Sequence, residues 1–138
     1  MQLSDYAAVN QCSLGQEKPV GNSVRTVDQI LSHAASSRLV EYKHAVERAL
    51  PGVERLILFG SRARGEARPD SDYDIAVILR DLSNRRRVRR VLSDLAYDHI
   101  LSGFFMRPIP LPSDYLEPRE GRLTELAEDI IRDGVEVT

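Results

Sequence analysis

The sequence predicts a single α/β (α+β) domain in which helices flank a small mixed β-sheet. Two apolar runs, at residues 53–59 and 73–79, have the length and composition of buried strands. Helical stretches with apolar residues three and four positions apart alternate with these strands and with a third, shorter one. The 138 residues are enough for one domain with a proper core and too few for two ordinary ones.

The composition limits the class of protein. With 42% hydrophobic and 29% charged residues, the chain is typical of a soluble globular protein. A net charge of −2 argues against nucleic-acid binding by the whole surface, although it allows a local basic patch. The single cysteine, Cys12, excludes an intrachain disulfide and a cysteine metal cluster. No apolar run approaches the length of a membrane span, and the first residues lack a signal-peptide pattern, so we predict a cytoplasmic protein without membrane contact.

The first 25 residues show no convincing periodicity and are punctuated by Gly15, Pro19 and Gly21. We predict a mobile or loosely docked extension over residues 1–25, with a short helix over residues 4–10 as the alternative. The folded domain is then predicted to cover residues 26–138.

Helical signals begin with a possible capping box formed by Thr26 and Gln29. Apolar residues continue at helical spacing as far as Leu50, where Pro51 and Gly52 predict a stop. The pattern fits one bent helix or two helices, and the sequence does not decide between them.

In the second half of the chain, predicted helices again alternate with a predicted strand. Asn84 or Ser83 is predicted to cap a helix that Gly103 closes. Residues 104–111 then form a third strand, which Pro108 and Pro110 confine to a sheet edge or to a short pairing segment. A last helix follows and ends at Gly134.

Two carboxylates, Asp72 and Asp74, open the second strand and are the candidate catalytic and metal-binding residues. Alternate residues of a strand point to one face, so these side chains project side by side. Such a pair is repulsive unless a hard cation lies between the carboxylates, and Mg²⁺ binds carboxylate oxygens together with substrate phosphates. The alternative is a solubilising loop before a strand, which is also how we interpret Asp70.

The end of the first strand carries residues suited to phosphate. Gly60 lacks a side chain and lets the backbone approach a phosphate group, while Ser61 adds a hydroxyl and an amide. In the connection that follows, Arg62 and Arg64 could pair with phosphate oxygens, although a solvated surface role fits either arginine equally well.

Together, Gly60-Ser61, ten residues and Asp72-x-Asp74 match the G-S-x10-D-x-D signature, so the chain resembles the nucleotidyltransferase superfamily that includes DNA polymerase β. The sequence motif LFGSRARG…SDYD is most similar to that of the minimal nucleotidyltransferases, many of which are antitoxins partnered with HEPN toxins. The resemblance implies that Asp72 and Asp74 hold Mg²⁺ bound to ATP, and that Gly60 and Ser61 contact its β- and γ-phosphates. It further implies transfer of a nucleotidyl group, AMP from ATP, to a protein or RNA acceptor, and in particular to a tyrosine of a HEPN toxin.

One feature departs from the family pattern. Active members commonly carry a third carboxylate on a later strand, whereas residues 104–111 contain no Asp or Glu. Asp114 and Glu117 follow that strand, and we predict that neither reaches the Asp72 end in the isolated chain. The departure favours a second hypothesis, a catalytically degenerate binding module that masks a partner protein. A small-molecule transferase would need an acceptor pocket, for which the sequence offers no sign.

An arginine run, Arg85, Arg86, Arg87, Arg89 and Arg90, opens the predicted third helical segment. Cations near a helix N-terminus oppose the helix dipole. The run is either a solvated helix face or a patch that contacts a protein partner or RNA. His33, His44 and His99 have no partner ligands at suitable spacing, so we assign them core or surface roles.

Overall fold

The computed structural model describes residues 25–138. The predicted extension and its alternative helix lie outside these residues, apart from Arg25. After a 3₁₀ turn at Val27–Gln29, the helices are α1 (His33–Ala49), α2 (Ser61–Arg64), α3 (Arg85–Leu101) and α4 (Glu125–Asp133). The strands are β1 (Val53–Phe59), β2 (Tyr73–Leu79), β3 (Met106–Pro112) and β4 (Val135–Glu136).

The four strands form one mixed sheet in the order β3-β2-β1-β4. Strand β1 runs antiparallel to both β2 and β4, whereas β2 and β3 are parallel. A parallel pair needs a crossover connection, and α3 provides it. The predicted α/β (α+β) fold with a small mixed sheet is therefore confirmed.

The N-terminal helical region consists of a turn and one helix. The capping box is present, since the Gln29 side chain accepts a hydrogen bond from the Thr26 amide at 2.9 Å. Only the 3₁₀ turn follows it, because Ser32 then caps a new helix by accepting from the Ala35 amide at 3.2 Å. Helix α1 continues without a break to Ala49.

The sheet has two covered faces. Helices α1 and α3 pack on one face, which presents Leu56, Leu58, Ile75 and Val77. Buried Tyr42 links the two helices by donating its hydroxyl hydrogen to the carbonyl of Leu92 at 2.8 Å. The opposite face presents Ile57, Phe59, Ala76 and Ile78 and is covered by the shorter α4 and the loop before it. Side chains alternate along a strand, so Asp74 shares this second face.

Strand β3 lies at the sheet edge, as its prolines predicted, and it begins two residues later than expected. Tyr73 pairs with Met106, and its amide donates to the carbonyl of Phe105 at 2.7 Å. In a parallel pair with this register, every second residue of β3, Arg107 among them, directs its backbone N–H and C=O groups toward β2. The ring nitrogens of Pro108, Pro110 and Pro112 consequently face away from the sheet.

Within the part of the chain that the structure describes, none of the helices combines the length and the apolar character needed to cross a bilayer.

Candidate functional site

Asp74 and the Gly60 turn meet at the start of β2. Asp74 is the register partner of Phe59, so Gly60, the next residue of the chain, lies beside its carboxylate. Gly60 has a φ of +79°, and a methyl group built on it would lie 2.6 Å from Asp74 Oδ2. Glycine is therefore required here for both backbone conformation and space. The sequence predicted this glycine for its approach to a phosphate, and the structure adds its approach to Asp74.

Asp72 is exposed and immediately precedes β2, which begins at Tyr73 rather than at Asp72 itself. Asp72 and Asp74 both act on a third side chain, Arg107 of β3. The pKa of Arg107 is raised above its ordinary value, foremost by its hydrogen bond to Asp74, then by the Asp74 charge, and to a smaller extent by the Asp72 charge. The two predicted carboxylates thus lie at the same end of β2.

Arg107 was not predicted as a site residue. It is the register partner of Asp74 across the parallel pair, and its Nε donates to Asp74 Oδ1 at 2.7 Å. The Arg107 side chain is 63% exposed, whereas that of Asp74 is 15% exposed. An arginine therefore lies on the later strand, where the family pattern led us to look for a third carboxylate. The available signal was that Arg107 is the one charged residue in residues 104–111.

Asp114 and Glu117 lie at the other end of the sheet. They follow the end of β3, where Pro112 pairs with Leu79, five residues along β2 from Asp74. At about 3.3 Å per residue this is a separation of about 17 Å. Asp114 instead pairs with Arg119 at 3.5 Å. As predicted, neither carboxylate completes the Asp72–Asp74 pair.

The donor set at the site consists of two carboxylates. Among residues 25–138, no group of three or more His, Cys, Asp or Glu side chains is arranged to hold a metal ion. A pair of carboxylates fits a Mg²⁺ ion that takes its remaining ligands from phosphate and water, which is the usual way in which Mg²⁺ is bound with a nucleotide. In the structure, the Arg107 guanidinium forms an ion pair with Asp74 at 2.7 Å.

Arg62 holds the loop that leads to Asp72. Its Nε and Nη2 donate to the carbonyl of Ser71 at 3.2 and 3.0 Å, and Nη2 also donates to that of Pro69 at 3.2 Å. The guanidinium lies 4.3 Å from the ring centre of Tyr73, which in turn stacks on Phe104. Arg62 thus positions the connection between α2 and β2. Its predicted contact with phosphate stays a prediction.

Arg64 and half-buried Ser61 mark the two ends of α2. Arg64 donates from Nη1 to Asp133 Oδ2 at 3.0 Å and from Nε to Glu66 at 2.8 Å. Asp133 is buried at the end of α4, where Arg132 also binds it at 3.1 Å. Hydrogen bonding from Arg132 first, and then from Arg64, lowers the pKa of Asp133 against the opposing effect of burial. Asp133 therefore joins α4 to α2, the short helix that follows Gly60. The phosphate contacts of Ser61 and Arg64 stay predictions.

Comparison with known proteins identifies the family. Residues 42–137 match the family model described as polymerase beta, nucleotidyltransferase. The chain belongs to this nucleotidyltransferase family. No curated protein sequence matches it significantly.

Several solved structures resemble this nucleotidyltransferase. A chain of a variant of the toxin–antitoxin pair MntA–HpeT has a TM-score of 0.50 and 19% identity, covering 75% of this chain and 72% of that one. A chain from a toxin–antitoxin structure with AMP-PNP gives 0.49 and 24% identity over 72% of each chain. A candidate nucleotidyltransferase from Sulfolobus solfataricus gives 0.49 and 22%, covering 75% of this chain and 82% of that one. The MntA–HpeT match shows a shared fold.

Proposed function

We propose that this nucleotidyltransferase binds Mg²⁺–ATP between the Gly60–Ser61 turn and the Asp72–Asp74 pair, and that it transfers AMP to a hydroxyl group of a partner protein. One observation carries the proposal: the pairing of Phe59 with Asp74 lays the glycine turn against the carboxylate. Phosphate-binding backbone and metal-binding oxygens are thereby held next to each other. ATP as substrate also fits the predicted cytoplasmic location.

Each group has a role in this reaction. Gly60 and Ser61 offer backbone amides and a hydroxyl to the β- and γ-phosphates, and Asp72 and Asp74 offer oxygens to the cation. When bound, Mg²⁺ would neutralise the charge that develops on the phosphates. The acceptor hydroxyl oxygen forms a bond to the α-phosphorus, and the bond from that phosphorus to the leaving pyrophosphate breaks.

The proton of the acceptor hydroxyl needs a base. Arg107 can donate hydrogen bonds but cannot accept a proton at neutral pH. Asp114 and Glu117 lie at the far end of the sheet. We therefore expect slow transfer by the isolated chain and faster transfer when a partner completes the site or presents an activated hydroxyl, since general-base assistance is typically worth about 10² to 10⁴ in rate.

A HEPN-type toxin with a tyrosine acceptor is the partner we favour, which would make the chain an antitoxin. Two observations support this choice: the resemblance of LFGSRARG…SDYD to minimal nucleotidyltransferases, and the fold shared with a chain of the MntA–HpeT toxin–antitoxin pair. An RNA hydroxyl is the alternative acceptor within the same chemistry.

A second candidate function is supported by Arg107. Its ion pair with Asp74 neutralises one of the two carboxylates without a metal. A nucleotidyltransferase fold stabilised in this way could act by masking a partner protein, with or without a bound nucleotide.

Calorimetry of Mg²⁺–ATP binding tests the proposal. The Asp72→Asn/Asp74→Asn variant removes two charges with little change in volume, so it should fold and lose metal-dependent nucleotide binding. Asp70→Asn, an exposed change in the same loop, is the matched control and should bind as the wild type does. Equal binding by the double variant would refute the proposed site.

Transfer from labelled ATP, with and without the partner, separates the two candidate functions. Label that appears on the partner, and that the double variant fails to transfer, supports the transferase. Tight partner binding without any transfer supports the masking function instead.

A further inference from the structure

A groove lies at the end of the sheet opposite to Asp72 and Asp74. It is bordered by the end of β3 and the loop that leads to α4, and its volume is about 510 Å³. Three guanidinium groups line it, from Arg85, Arg119 and Arg122, together with the apolar surfaces of Tyr115 and Leu123. Asp114 and Glu117 also line the groove, and Asp114 is paired with Arg119 at 3.5 Å.

The arginine run at the start of α3 adjoins this groove. Arg86, Arg87, Arg89 and Arg90 are exposed. In the described part of the chain, none of these four guanidinium groups takes part in an ion pair or a side-chain hydrogen bond. Like charges three and four residues apart on a helix repel each other, and the helix dipole opposes cations in the first turn. No ion pair among the described residues offsets this repulsion, and an anionic ligand would do so.

Arg85 joins the run to the groove. Its Nη1 donates to the carbonyl of Pro110 at 3.2 Å, so its guanidinium lies beside the free edge of β3. Arg89 follows one turn later on the same helical stripe. We name this continuous basic surface the arginine groove. Six arginines contribute to it against the carboxylates of Asp114 and Glu117: Arg85, Arg86, Arg89, Arg90, Arg119 and Arg122. Arg87 lies on the other flank of α3, where it lines a hollow with Gly52 and Asp81.

The arginine groove serves a ligand other than the nucleotide of the proposed reaction. The end of β3 is separated from Asp74 by five residue pairs of the sheet, which is about 17 Å. One ATP molecule held by Asp74 cannot also occupy the groove.

We propose that the arginine groove binds a single-stranded polynucleotide. Guanidinium groups one helical turn apart suit successive phosphates, and the groove between Tyr115 and Leu123 offers an apolar surface to an unstacked base. An acidic protein surface would also pair with the arginines. A polynucleotide supplies both complementary features along one chain, a row of phosphates for the arginines and unstacked bases for the apolar groove, and for this reason the observations favour it.

Fluorescence anisotropy with short oligouridylate and oligothymidylate probes tests the inference and distinguishes RNA from DNA. We expect binding that weakens as salt rises from about 50 to 200 mM, with a logarithmic slope of about −0.7 for each phosphate neutralised. Arg86→Gln/Arg90→Gln and Arg119→Gln/Arg122→Gln should each weaken binding about tenfold or more and reduce the slope by about 1.4.

Two controls make the result specific. Arg48→Gln/Arg68→Gln changes the net charge equally at exposed arginines outside the groove and should bind as the wild type does. Asp72→Asn/Asp74→Asn should also keep full affinity, which separates this inference from the proposed function.

Three results would overturn the inference: no binding of either probe at low salt, an equal loss of affinity in the Arg48/Arg68 control, or displacement of the probe by polyglutamate at a lower concentration than by unlabelled oligonucleotide. The last result would assign the surface to an acidic protein partner.

Discussion

At the scale of single residues, the two carboxylate oxygens of Asp74 have different neighbours. Oδ2 lies against the backbone of Gly60, and Oδ1 accepts a hydrogen bond from Arg107. A cation that binds Oδ1 must therefore compete with the Arg107 guanidinium. The residues of the signature, Gly60, Ser61, Asp72 and Asp74, were identifiable from the sequence because they are close along the chain. Arg107 was not, because the register of a parallel pair across a crossover helix leaves no pattern in the sequence.

Replacing Arg107 tests this competition. Arg107→Gln should raise the affinity for Mg²⁺ in the absence of nucleotide, because the competing charge is removed. Since the guanidinium is mostly exposed, the pair is worth about 0.2–1 kcal/mol, and the gain in affinity should be about 1.4- to fivefold by calorimetry. Arg107→Lys keeps the charge and should remain close to the wild type. A lower Mg²⁺ affinity in Arg107→Gln would show that the arginine assists cation binding instead.

Gly60 can be tested against Gly65, a second glycine with a positive φ. Gly60 and Gly65 have φ values of +79° and +75°, but only a side chain at Gly60 would meet Asp74. Both alanine variants should lose stability through backbone strain, about 1–2 kcal/mol at Gly65, which is left-handed helical, and about 1–3 kcal/mol at Gly60, whose ψ of −158° belongs to a region that is essentially restricted to glycine. Only Gly60→Ala should also lose Mg²⁺–ATP affinity, because its methyl group displaces the carboxylate. Denaturant unfolding and calorimetry on both variants provide the comparison, and equal nucleotide affinities would contradict it.

At the scale of elements, the two central strands were predicted with the bounds that the structure shows. Val53–Phe59 and Tyr73–Leu79 are apolar runs bounded by polar or turn residues, and burial of the sheet fixes where they end. The four-residue helix α2 was not predicted and was treated as part of a connection, since one helical turn is too short to show a period. The anchor between α2 and α4 was also missed, because Arg64 and Asp133 are 69 residues apart.

The Asp133 anchor makes a prediction about pH. Asp133→Asn should cost about 1–2 kcal/mol at neutral pH, since hydrogen bonds to a buried charge are lost while the exposed arginines are screened. The pKa of Asp133 is lowered in the folded state, so its stabilisation is present above the unfolded value of about 3.9 and is lost as pH falls through the folded value. Urea unfolding of wild type and variant should therefore converge in acid.

Asp129→Asn is the control for this series. Asp129 also binds Arg132, at 2.9 Å, but its side chain is 43% exposed. The variant should unfold close to the wild type at every pH. A gap between the wild type and Asp133→Asn that stays constant down to pH values well below the unfolded pKa would contradict the assigned ionisation.

At the scale of the whole molecule, the sheet separates two chemical environments. Asp72, Asp74 and the glycine turn lie at one end of β2, together with Arg62 and Arg107, and the arginine groove lies at the other end, around the end of β3 and the start of α3. The sequence showed both sets of residues, but it could not show that they lie apart. That separation depends on the crossover through α3. Because β2 and β3 are parallel, α3 brings the chain back to the start of β2, and β3 then runs to the opposite end of the sheet.

The three outward-facing prolines of β3 have a consequence for how other molecules can attach. Because Pro108, Pro110 and Pro112 have no N–H, the free edge of β3 presents carbonyl oxygens with almost no donors between them, and Arg85 already occupies the carbonyl of Pro110. A foreign strand cannot add to such an edge, since half of its ladder hydrogen bonds would be missing. Along this side the protein is therefore protected against edge-to-edge aggregation, and a partner that docks here must be recognised by side chains and not by backbone pairing.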